Sequence, residues 1–128
     1  MSPTARALYH ALIRTHHITS RKKVAKLRQA ADKYACHVLL RSGGSPGIMY
    51  VEGEEEGVKE WVAAVQRLRY KDYQLASRMA PLSRETQQIV ASSGDRGLFE
   101  TDSVKDFGLK MQDRGVLTWW RRGMGYAD

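Results

Sequence analysis

The chain has 128 residues, 42% of them hydrophobic and 27% charged, with a formal net charge of +7: the size of one domain with a true core, biased toward polyanions such as nucleic acid, anionic membrane or acidic protein surfaces. Its single cysteine, Cys36, excludes an intrachain disulfide and a cysteine-based zinc site, which fits a reducing compartment, nuclear or cytoplasmic. Arg6, His10 and Arg14 interrupt the amino end before a secretory apolar stretch forms, and the longest apolar run, Trp61 to Val65, is far short of the roughly 20 residues that span a membrane, so the protein is expected to be neither secreted nor membrane-embedded.

In chain order, "HALIRTHHI" at residues 10–18 is rich in β-branched and bulky residues and predicts a strand. Thr19 or Ser20 then offers an N-cap for a helix to about Ala35, with Val24, Leu27, Ala31 and Tyr34 on one face and Lys22, Lys26, Gln29 and Lys33 near the opposite one. "CHVLLRS" and "IMYVEG" read as two short strands joined through the turn formers "GGSPG", a hairpin pattern. Glu54, Glu55 and Glu56 suit a first helical turn, where negative charge complements the helix dipole. Val58, Trp61, Val62, Val65 and Leu68 continue an amphipathic helix that closes on Arg67, Arg69 and Lys71.

"DYQLASRM" supplies a further strand and completes the order β-α-β-β-α-β, an α+β ferredoxin-like sandwich with a core over about residues 8–80. Past Pro81 the pattern weakens: "LSRETQQIV" suits a short helix and "ASSGDRG" a loop. A C-terminal helical extension over about residues 101–126 is expected to complete the single domain. There Ser103 and Asp106 resemble a capping box, Gly115 suits a helix stop, and Trp119 and Trp120 anchor the last piece.

Charge is concentrated at the amino end, where residues 1–41 carry nine Lys or Arg against one acid, Asp32. A stripe making four to six phosphate contacts supports about micromolar non-specific binding at physiological salt, so Arg21, Lys22, Lys23 and Lys26 are the expected phosphate contacts, with Arg14 and Arg41 as flankers. His16 and His17 either split between core and solvent on opposite faces of a strand, or touch phosphate or a splayed base. Tyr50 either stacks on a base from an open sheet face or joins the core. No glycine-rich phosphate loop, nucleophile motif or paired carboxylates suggest catalysis, and no spacing suggests a metal; no catalytic residue, metal or cofactor is expected.

The segments "HHITSRKK", "SPGIMYVEG", "VKEWVAAVQRLRYKDYQL" and "FETDSVKDFGLKMQDRGVLTWW", in that order along nearly the whole chain, resemble the C-terminal domain of the pre-mRNA-processing factor three family of small nuclear ribonucleoproteins. They are closer still to the same domain in RWD-domain-containing proteins, where it follows an RWD module. The matched positions are His16 and His17, the basic helix start Arg21, Lys22 and Lys23, the turn at Pro46 and Gly47, and Val51, Glu52 and Gly53. The resemblance implies a ferredoxin-like fold and, for the splicing factor, binding of small nuclear RNA in the spliceosome. No RWD module precedes the domain here, which implies a free-standing copy or a fragment. The expected function is thus RNA binding without catalysis. The alternative is a protein-interaction module of RWD-type adaptors, its basic face meeting an acidic partner and Trp119 or Trp120 filling a pocket.

Overall fold

The computed structural model describes residues 7–126. Its elements are β1 (Leu8–Thr15), α1 (Arg21–Lys33), β2 (His37–Arg41), β3 (Gly47–Glu54), α2 (Glu55–Arg67), β4 (Gln74–Pro81), α3 (Arg84–Ser93), β5 (Gly97–Thr101), α4 (Val104–Asp113) and α5 (Leu117–Met124). The sheet order is β4-β1-β3-β2-β5. The first four strands form the antiparallel ferredoxin-like arrangement, and β5 adds to the β2 edge in parallel. The protein is therefore α+β and ferredoxin-like, with a fifth strand the sequence reading lacked.

Strand alternation sends side chains to two separate cores. Ala11 and Ile13 of β1, Val38 and Leu40 of β2, and Met49 and Val51 of β3 meet Val24, Leu27 and Ala31 of α1 and Val58, Trp61 and Val65 of α2. The intervening Leu12, Leu39, Ile48 and Tyr50 point the other way, onto Phe107 and Met111 of α4 and Trp120 and Met124 of α5. Each fully buried aliphatic or aromatic side chain contributes about 1.5–3 kcal/mol, so neither layer is dispensable. The C-terminal helices are half of a second core, not an appendage to the first.

Local signals explain where helices begin. Ser20 caps α1, its side chain accepting from the Lys23 amide at 3.2 Å. Ser83 and Ser103 cap α3 and α4 in the same way, at 3.1 Å each. The capping box at Ser103 is only half formed, because the Asp106 carboxylate accepts from the Thr101 hydroxyl at 2.8 Å. Glu55 and Glu56 occupy the first turn of α2, and Glu54 precedes it as an N-cap without a side-chain capping bond.

Candidate nucleic-acid interface

β1 ends at Thr15, three residues before the expected limit, because Ile18 turns inward and is fully buried. His16 and His17 therefore lie in the turn before α1, where the strand rule of opposite faces no longer applies. Their rings sit 4.0 Å apart, edge to face, with His17 exposed and His16 half-buried. The turn is held by its backbone: the His16 amide donates to Lys71 O at 2.9 Å, and the Gly47 and Gly43 amides donate to His16 O and Ile18 O. His16 Nδ1 lies 3.4 Å from an Asp72 carboxylate oxygen.

The first turn of α1 contains no acid of its own, and Arg21, Lys22 and Lys23 stand at its positive dipole end. Lys22 and Lys26 are exposed and have no ion-pair partner among the described residues. Lys23 is half-buried, its ammonium 4.8 Å from the centre of the Tyr70 ring. Further along, Lys26 and Lys33 share a groove of about 390 Å³ with Arg67 of α2.

Three expected contacts have other work. Arg21 forms a bidentate pair with Glu100, both distances 2.8 Å, and Arg28 adds a third contact to that carboxylate at 3.4 Å. Hydrogen bonds from Arg21, aided by one from Ser42, hold the Glu100 carboxyl down at about 2, and the same contact raises the Arg21 guanidinium. Arg41 is half-buried and donates to the carbonyls of Asp102 and Pro46, each at 3.1 Å, which ties the β2–β3 loop to β5. Tyr50 is fully buried under α4 and α5, so it has no open sheet face from which to stack on a base. Both faces of this sheet are covered by helices.

A polar cluster that sequence spacing did not reveal lies beneath those helices. His10 on β1 and His37 on β2 both stand opposite Glu52 of β3 in the strand register. Glu52, 1% exposed, accepts two bonds from Arg114 at 2.8 and 2.7 Å and one from the Tyr50 hydroxyl at 2.8 Å. That hydroxyl also lies 3.2 Å from His10 Nδ1, and the His10 ring stacks on Trp119 at 3.7 Å. Burial lowers both histidines to about 4, so they are neutral at physiological pH. Burial and the adjacent Glu52 carboxylate push the Tyr50 phenol well up. No three His, Cys, Asp or Glu side chains among the described residues converge to hold a metal. The only hint in the sequence was a charged or imidazole residue inside each of three apolar strands.

Trp120 is buried in the second core, whereas Trp119 is half-buried against His10. Among the described residues no helix is long and apolar enough to cross a membrane. Fold and surface together define a small ferredoxin-like α+β domain with a basic helix beside a histidine turn. The chain matches no protein-family model and no curated protein.

Proposed function

We propose that this chain is a non-catalytic RNA-binding domain of the ribonucleoprotein kind, as its resemblance to the pre-mRNA-processing factor three family implies. Phosphates are held by Lys22, Lys23 and Lys26 at the start of α1, with His16 and His17 beside them. One observation carries this reading: a helix start with no acid in its first turn, where exposed Lys22 and Lys26 have no ion-pair partner among the described residues and stand beside a close imidazole pair. Positive groups here release condensed counterions when they meet phosphate. The mode differs from sheet-surface RNA binding, because Tyr50 and its neighbours are covered. Contact runs along a helix and its preceding turn.

The test is fluorescence anisotropy with short structured RNA over a range of salt. Binding should weaken steeply as salt rises, and replacing Lys22, Lys23 and Lys26 together by Ala should lower the log–log slope by about 2–3. Absent or salt-independent binding would overturn the reading.

A further inference from the structure

Glu100, the carboxylate that gathers Arg21 and Arg28, also lines a groove of about 320 Å³ between the sheet and α4. Phe99 on β5 contributes its ring there and is 44% exposed, so one part of the ring is open to solvent. The His37 ring is 5.3 Å from it, tilted by 32°, and His37 Nδ1 is buried without a hydrogen-bond partner. Buried polar atoms are normally paired, and His37, which lines the groove, has one that is not. The volume falls at the low end of the roughly 300–1,000 Å³ of small-ligand pockets.

We infer that this groove takes one unpaired nucleobase of a single-stranded RNA whose neighbouring phosphates lie along α1. The inference rests on the RNA-binding reading above and names a second contact for it. Charge selects the occupant. The groove is lined by Asp95, Glu100 and Asp113 against Lys110 and Arg114, and Arg114 is already claimed by Glu52, so nothing there is placed to hold a phosphate. A neutral, flat ring with donors and acceptors fits better: it stacks on Phe99, and its polar edge meets Asp95, Asp113 and the unpartnered Nδ1 of His37. Glu100 holds Arg21 and Arg28 at the rim, between this groove and the lysines of α1.

Two experiments decide it. In the first, NMR titration of the full chain with each nucleoside 5′-monophosphate should move the resonances of His37, Leu39, Phe99 and Asp113, and Phe99→Ala should abolish those shifts. Shifts confined to α1, or shifts in the groove produced by arginine amide and not by nucleotides, overturn the base pocket. In the second, a single-stranded oligonucleotide is compared with a blunt duplex of equal phosphate number. Phe99→Ala should weaken the single strand at least about fivefold, while leaving duplex affinity and the salt slope unchanged. Phe99→Leu keeps the apolar area and should fail equally if stacking is the cause. Unchanged single-strand affinity in Phe99→Ala overturns the groove and leaves the lysine contacts standing. If no RNA binds at all, the function proposed above fails, and the mononucleotide titration still decides whether the groove takes a base.

Discussion

Glu100→Gln probes the interface without touching a cation. The carboxylate holds Arg21 in two bonds of 2.8 Å and Arg28 in one of 3.4 Å, and it accepts from Ser42 at 2.9 Å. The amide preserves the shape and one acceptor, but it no longer neutralises two guanidiniums at the edge of a surface that already presents three lysines. Pairs this exposed stabilise a fold by about 0–1 kcal/mol, so the variant should fold normally. If both arginines then engage phosphate, the number of contacts rises from about three to about five. The slope of log affinity against log salt on single strands should steepen by about 1.4. Between 200 and 50 mM salt that difference amplifies the gain in affinity by about sevenfold, well within reach of anisotropy titrations at several salt concentrations. Glu100 is held near 2, so it is ionised throughout a neutral-pH assay, and the comparison does not depend on small changes of buffer pH. A slope identical to that of the parent chain, with no gain in affinity at low salt, would refute the claim that Glu100 restrains phosphate-binding cations.

Three further outcomes concern the scaffold. Replacing Glu52 by Gln leaves the 9%-exposed Arg114 charge with only the longer Asp95 contact of 3.9 Å and should cost about 3–5 kcal/mol, lowering the urea midpoint by about 1.5–2.5 M; Glu52→Met with Arg114→Met should recover most of it, and a shift below about 0.5 M would contradict the buried pair. His10 and His37 are lowered to about 4 from 6.5, so the unfolded chain binds protons more readily in that window: unfolding free energy should fall as pH drops from 6.5 to 4, by at most about 3 kcal/mol per histidine, and His10→Gln should flatten the curve measured by urea titration. At the start of β3, Gly47→Ala would drive a methyl onto Thr15 Oγ1 and Ile18 Cγ1 and should cost about 1–3 kcal/mol, with thermal unfolding as the readout and an unchanged midpoint as the contrary result.

Much of the fold was legible because its signals are local. Ser20 before a 3.6-residue apolar stripe marked α1, the turn formers around Pro46 marked the β2–β3 hairpin, and the spacing of Val58, Trp61 and Val65 marked α2. β5 escaped because "GLFET" has only five residues and acquires its meaning from β2, some 60 positions earlier. The end of β1 was misplaced because a β-branched residue reads equally as strand or as anchor, and Ile18 is the anchor. At the interface, composition found the basic helix but could not show that Glu100, distant in sequence, claims two of its neighbouring arginines. The Glu52 cluster was invisible for a related reason: strand register, which no single segment specifies, sets His10 and His37 on either side of that carboxylate.

Covering both faces of the sheet divides the labour of the residues. Apart from Leu39, which also lines the groove beside Phe99, those that fill the two apolar layers are shut away from it, and Lys22, Lys26, His17 and the exposed part of Phe99 fill neither layer. Side chains on the rim can therefore change, one at a time, with little toll on foldedness, because neither apolar layer depends on them.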